Sequence, residues 1–297
     1  MKAVGGGVRF LCPAKVNLYL QVLGRRSDGY HDLVTVMQPL SLADELTVTP
    51  GGDAICLTCD HPDLPQGPEN LVYRAALSFQ AAAGIKVAAH LELRKRIPVA
   101  AGLGGGSSDA AGTLKALNRL YGSLLDGARL QALAAGLGAD VPFFLGQGPA
   151  VGRGTGTELT PMALPPYHYL LLNPGVPLST RWVYENLDLA RLTKTAGTTA
   201  TWDPEHPERW VQNDLGEVAI RRLPELAELL ERVRQAGALT QSVSGSGPTI
   251  FGLFATREAA QDAARALRQS FQGWLAVAQG LTGRETDDTW ESRVWTT

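Results

Sequence analysis

Four glycines in five positions, Gly102-Leu103-Gly104-Gly105-Gly106, run through Ser107-Ser108 into a segment whose apolar residues recur at helical spacing: Ala110, Ala111, Leu114, Leu117 and Leu120. No other stretch narrows the possible folds as much. Glycines at that density leave backbone N–H groups uncovered and open conformations closed to other residues. The helix behind them adds the positive end of its dipole. Together they make a cradle for anionic groups, phosphates above all. The run is not a Walker loop, which needs a lysine after its last glycine, where Ser107 stands. Nor is it the GxGxxG of dinucleotide-binding folds, which would demand glycine at Ser107 or at Asp109.

Around this loop strands and helices alternate, as in an α/β (α+β) chain. Residues 8–23 alternate strictly, with Ala14, Val16, Leu18, Leu20 and Val22 on one face and Lys15, Asn17, Tyr19 and Gln21 on the other. A charged turn over 25–31 has Asp28-Gly29 at its tip. Strands are expected over 33–40, 45–49 and 86–94, and helices over 69–83, 107–120 and 130–137, with another opening at 138–142. The glycine-rich 151–156 marks the expected lobe boundary. The second half reads as a strand at 167–172, a polar surface loop at 189–207 and a helix at 223–236. The run 242–247 (SVSGSG) then precedes a strand at 249–254 and a helix at 258–270. The polar stretch after Gly283, with Trp290 and Trp295, has no period and stays unassigned.

Several function classes fall away. A formal charge of -2 offers no dominant footprint for nucleic acid. No run of about 18 apolar residues suggests a membrane span, and residues 1–10 lack the apolar core of a secretion signal. A cytoplasmic location is the expectation. Three cysteines are too few for a disulfide framework. Cys56 and Cys59 form a lone CxxC in what reads as a strand, where positions three apart face opposite ways, so a shared metal is not expected.

Residues 98–111 (PVAAGLGGGSSDAA) resemble the second motif of the GHMP small-molecule kinases. Pro13-Ala14-Lys15-Val16-Asn17-Leu18 resembles the first motif and Val243-Ser244-Gly245-Ser246-Gly247-Pro248 the third, in the family's order. Asp28-Gly29-Tyr30-His31, the stretch 138–144 (GADVPFF) and Asn213-Asp214-Leu215 match one branch of that family; the resemblance covers about 10–283. It implies two lobes: a ribosomal-protein-S5-like ATP-binding lobe over 1–157 and a ferredoxin-like lobe over 158–283, with 284–297 left as a tail. It also implies transfer of the ATP γ-phosphoryl group to the alcohol of a cytidine-diphosphate-linked small molecule, in non-mevalonate isoprenoid precursor synthesis.

The resemblance carries roles to individual residues. Asp140 matches the catalytic aspartate, a general base for the alcohol; read alone, it suits a helix cap better. Lys15 matches the catalytic lysine, which orients Asp140 and attracts the γ-phosphate; read alone, it is as well an exposed strand lysine. Asn17 is expected to bond substrate or hold Asp140. Tyr30 and His31 are expected at the cytosine, one stacking and one hydrogen-bonding, with Tyr184 as a second stacking ring and Thr180 nearby. Pro98, Ala100, Ala101, Gly102, Leu103, Gly104, Gly105, Gly106, Ser107 and Ser108 form the ATP loop. Asn70, Leu71 and Lys95 are expected at adenine, although Asn70 also suits a helix cap and Lys95 a solvated basic run. Asp109 is assigned to the helix dipole, facing away from the phosphates. Magnesium is expected to travel with ATP, keeping most of its waters, and no residue is assigned to it. Ala100 and Ala101 stand where relatives often carry glycine, which matters only if φ is positive there. A monomer or homodimer is expected, without nucleic-acid or membrane partners. The rival readings are a homoserine- or mevalonate-type kinase and a non-catalytic ATP-binding regulator.

Overall fold

The computed structural model describes residues 6–146, 148–192 and 202–283. Its first strand, β1 (Val8–Arg25), does not keep the expected strict alternation: the register shifts at three places, Leu18 and Tyr19 join one core while Leu20 and Val22 join another, and the polar residues are not wet. Lys15, Asn17 and Gln21 are each 3% exposed. β1 pairs antiparallel with β2 (His31–Pro50), one continuous strand where two were expected. The register slips between Pro13 and Lys15, a bulge that tolerates the proline and re-aims Lys15. The Lys15 N–H turns instead to the Leu103 carbonyl of the glycine loop, at 2.9 Å.

The first sheet adds β3 (Ile55–Cys59), β4 (Ala89–Arg94) and a hairpin of β5 (Ala150–Arg153) and β6 (Glu158–Pro161). Its order is β3-β4-β2-β1, with β5 on β2 and β6 on β5. The 151–156 run therefore lies inside this sheet. Its hairpin crosses the boundary expected at 157/158, and β6 ends at Pro161. Helices α1 (Leu71–Ala83), α2 (Gly105–Leu120), α3 (Gly127–Leu137) and α4 (Val141–Leu145) cover one face. Phe79, Leu91, Leu93, Leu114, Leu117 and Phe144 form the core between them. α2 is buried nearly all round, and at Gly112 an added Cβ would stand 2.6 Å from Cys12 Sγ, so the Cys12 side chain of the sheet fills the space a side chain at 112 would need.

The second lobe is a four-stranded antiparallel sheet, β7 (His168–Asn173), β9 (Thr240–Val243), β10 (Ile250–Phe254) and β11 (Trp274–Gln279), in the order β11-β7-β10-β9. Helices α5 (Thr180–Glu185), α6 (Gly216–Arg222), α7 (Glu225–Gln235) and α8 (Arg257–Arg268) complete a ferredoxin-like topology. Alternation along β7 divides its burial. Leu170 and Leu172 face the helices, whereas Tyr169 and Leu171 pack with Phe251 and Leu253 against Val16, Leu18, Val36 and Leu40 of the first lobe. The two sheets thus share an apolar core. A short β8 (Gln212–Asn213) returns to the first sheet and pairs parallel with β1 at Tyr19 and Leu20. The sequence reading passed over α5, α6, β9 and β11. The tail 284–297 and residues 193–201 of the expected 189–207 loop lie outside the described residues.

Cys56 is exposed and Cys59 partly so, on β3 at the sheet edge. Among the described residues no cluster of three or more His, Cys, Asp or Glu is placed to hold a metal. No helix among them is long and apolar enough to cross a membrane.

Candidate active site

Three separated motifs meet at Lys15. Its ammonium donates to Asn17 Oδ1 at 2.5 Å and lies 3.4 Å from Asp140 Oδ2. Asn17 is held in turn by Nδ2 donating to Thr35 Oγ1 at 2.9 Å. Two glycines crowd the lysine. An added Cβ at Gly104 would stand 3.0 Å from Lys15 Cγ, and one at Gly245 would stand 3.5 Å from Lys15 Nζ. A buried ammonium needs such partners, because an unpaired charge out of water is costly. Asp140 precedes α4 at the N-cap position but makes no capping bond with its side chain. The carboxylate points to Lys15 instead, and with 41% of its side chain exposed it stays open to a ligand.

The glycine loop runs above this pair. Gly102 and Gly104 take φ of +78° and +70°, and Gly104 caps α2. Leu103 and Ala101 are buried, 1% and 3% exposed, so the loop turns backbone, not side chains, outward. Gly106 is exposed, and a Cβ there would find only Leu71 Cδ1, at 3.6 Å, within 4 Å; its bareness serves no internal contact and leaves a surface open to a ligand. Ser108 Oγ is buried with no hydrogen-bond partner among the described residues, one turn into the helix. An unanswered donor behind bare N–H groups at a helix N-terminus fits a phosphate. Ala100 has φ +52°, so the alanine occupies the left-handed region that favours glycine.

The loop of the third motif locks onto the second. Ser244 Oγ donates to Gly102 O at 3.0 Å, and an added Cβ at Gly247 would lie 2.2 Å from Gly102 N. Asn213 Nδ2 holds that loop by donating to the carbonyls of Val243 at 2.8 Å and Gly245 at 2.7 Å. The rings of His31 and Tyr184 stack with centroids 5.0 Å apart at 28°. Burial, then the neighbouring Arg25, lowers the His31 pKa. Burial, then the charge of Asp140, pushes the Tyr184 hydroxyl up, so Tyr184 links the aromatic end to the carboxylate end. Tyr30 is 64% exposed at the rim. The facing pair is therefore His31–Tyr184, where a Tyr30–Tyr184 sandwich was expected. Thr180 Oγ1 is 2.7 Å from Ser246 Oγ.

Of the residues expected at adenine, Asn70 caps α1, accepting from Val72 N at 2.9 Å and donating to Pro65 O at 2.8 Å. Leu71 lies beside Gly106. Lys95 belongs to no solvated run: its side chain is 6% exposed and bonded to Asp44 and Asp109. Asp109 is likewise no surface dipole partner, being 2% exposed and paired with that lysine.

The matches to known proteins agree with this geometry. The family profile described as GHMP kinases N terminal domain matches residues 70–148, and that described as GHMP kinases C terminal matches 205–273. A 4-diphosphocytidyl-2-C-methyl-D-erythritol kinase of Geobacter metallireducens is 43% identical over 278 residues, covering 90% of this chain and 95% of that protein. The chain belongs to the GHMP kinases. As a GHMP kinase it is an ATP-dependent small-molecule kinase. A crystal structure of a 4-(cytidine 5'-diphospho)-2C-methyl-D-erythritol kinase superposes with TM-score 0.80 at 42% identity, covering 92% of this chain and 99% of the other. A homoserine kinase from Cytophaga hutchinsonii, 20% identical, superposes with TM-score 0.74 over 96% of this chain and 97% of its own, a likeness of GHMP fold.

Sequence reasoning named the third motif of this GHMP kinase but gave its residues no part in the site. Ser244, Gly245 and Ser246 touch Gly102, Lys15, Asn17 and Thr180 directly. The glycine-serine alternation in 242–247 was the available signal. Thr35 and Asp44 had none, since a threonine and an aspartate within strands look ordinary until their partners are placed.

Proposed function

We propose that the protein transfers the ATP γ-phosphoryl group to the 2-hydroxyl of 4-diphosphocytidyl-2-C-methyl-D-erythritol, releasing ADP and the 2-phosphate, in non-mevalonate isoprenoid precursor synthesis. What carries this is the Lys15–Asp140 pair, with Gly104 of the bare glycine loop against Lys15 and Tyr184 of the His31–Tyr184 stack near enough to feel the charge of Asp140. Such an arrangement suits a phosphate donor at one end and a planar base at the other.

Phosphoryl transfer asks chiefly for positioning and charge stabilisation. Loop 102–108 holds the nucleotide phosphates through its N–H groups and Ser108. Pro98, Ala100 and Ala101 shape its entry, and Asn70 and Leu71 border the base. Magnesium enters with ATP as part of the substrate. The substrate oxygen forms its bond to the γ-phosphorus as the bond to the bridging oxygen of ADP breaks, and Asp140 takes the hydroxyl proton. Lys15 orients that carboxylate and answers charge on the phosphoryl oxygens. Asn17 fixes Lys15. His31 and Tyr184 receive the cytosine, with Tyr30 closing from the rim, and Thr180 bonds the substrate. A cytoplasmic location is part of this reading.

ADP release with MgATP and four alcohols, the cytidyl substrate, mevalonate, homoserine and galactose, tests the reading. Turnover with the cytidyl compound alone is expected. Turnover with another alcohol contradicts the cytosine site, and ATP binding without any turnover favours a regulator.

A further inference from the structure

Both ends of the glycine loop rest on one carboxylate. Asp44, fully buried in β2, accepts the backbone N–H groups of Arg96 at 2.5 Å and Ile97 at 2.9 Å, where the chain enters the loop. Its other oxygen accepts from Lys95 Nζ and lies 3.3 Å from the position of a Cβ on Gly105, the first residue of α2. Lys95 Nζ reaches on to Asp109 Oδ2 at 2.7 Å, one turn along that helix. The three side chains are 0%, 6% and 3% exposed. Loop entry, loop exit and the start of α2 are thus tied together from beneath.

We propose that Asp44, Lys95 and Asp109 are positioning residues that hold the glycine loop in the shape that receives the nucleotide phosphates, Lys95 acting through the loop and not on adenine. The proposal rests on reading 102–108 as the nucleotide site. A glycine-rich segment has few side chains to fix its own shape and the most conformational freedom to lose, yet N–H donors work only when already aimed. The crown of the loop is held by Lys15 N–H on Leu103 O and by Ser244 Oγ on Gly102 O. The base is held by this cluster. Burial, reinforced by Asp44 and opposed by Lys95, pushes the Asp109 carboxyl up to about 8.

Steady-state kinetics of Lys95→Met, Asp109→Leu, their double variant and Asp109→Asn test it. Lys95→Met and Asp109→Leu should each raise KM for ATP about tenfold while KM for the alcohol stays within about twofold. The double variant should be no worse than the worse single, because both remove one bridge. Asp109→Asn keeps an oxygen for Lys95 and should stay within about threefold of the parent in KM for ATP. An effect from Lys95→Met with none from Asp109→Leu means direct contact with the nucleotide and overturns the proposal. So does a loss of thermal stability with both KM values unchanged. If Lys95→Met does not fold, Asp109→Leu against Asp109→Asn still decides, and equal KM values for ATP contradict the clamp. A parent protein that turns over no alcohol defeats the functional reading instead, and calorimetric ATP affinity of the same variants then tests the clamp.

Discussion

Two lysines, Lys15 and Lys95, flank the glycine loop, both buried and both paired with aspartate, and in the proposed reading they do opposite work. Lys15 shares its ammonium between a neutral amide and Asp140, whose side chain is 41% exposed. Lys95 is enclosed by Asp44 and Asp109, which are sealed. The pairing chemistry is the same, and what differs is the water reaching the carboxylate. A carboxylate open on one side can meet a substrate proton, whereas one closed on all sides can only hold other parts of the protein in place. Exposure of the acid, not burial of the base, separates a reacting pair from a structural one.

Four substitutions or titrations can break that contrast. The largest effect is expected at the open pair: Asp140→Asn should lower kcat by about a thousandfold, within the range for loss of a general base, with calorimetric ATP affinity near that of the parent. Near-parental turnover removes Asp140 from the chemistry. At the closed pair, Lys95→Met leaves the buried Asp44–Asp109 couple without its cation and should cost about 3–5 kcal/mol in urea unfolding. A loss below about 1 kcal/mol would put Lys95 among weakly coupled surface pairs.

A smaller effect follows from the Asp109 carboxyl, raised to about 8 in the fold. The folded protein holds a proton there that the unfolded chain releases near pH 4, so this contribution is present below about pH 4 and lost as pH rises to about 8. The thiols of Cys12 and Cys59, which also feel Asp109, are pushed upward and do not titrate in that interval. Asp109→Asn should flatten the fall in stability across it, and an unchanged slope means Asp109 is not the group responsible. The smallest effect belongs to the strained entry of the loop. Ala100→Gly relieves φ +52° at some cost in unfolded-chain entropy, for a net gain of about 0.5 kcal/mol by thermal unfolding. A loss there would show that the alanine methyl makes a contact worth more than the strain.

The glycine loop and the helix behind it were legible because glycine density and helical period are local properties, and α2 begins at Gly105, two residues ahead of the expected start. Lys15 and Asp140 came from motif resemblance, since an alternating strand and a possible cap do not by themselves bring position 15 to position 140. What stayed hidden was long-range. Lys95 reads as one of three basic residues in a row, yet Arg94 and Arg96 are 59% and 64% exposed and Lys95 turns inward. Only Asp44, 51 residues earlier on a neighbouring strand, explains that turn. Likewise the polar face of β1 looked solvent-facing because alternation gives parity but not what covers each face; here the loop of the third motif and the glycine loop cover it.

The most direct test of the contrast is single-turnover phosphoryl transfer at saturating MgATP and cytidyl substrate, with Lys15→Met and Lys95→Met measured side by side. Lys15→Met should lose about a thousandfold or more in the transfer step, and Lys95→Met, once ATP saturates, less than about tenfold. Equal losses in the two variants would contradict the division between a reacting lysine and a positioning one.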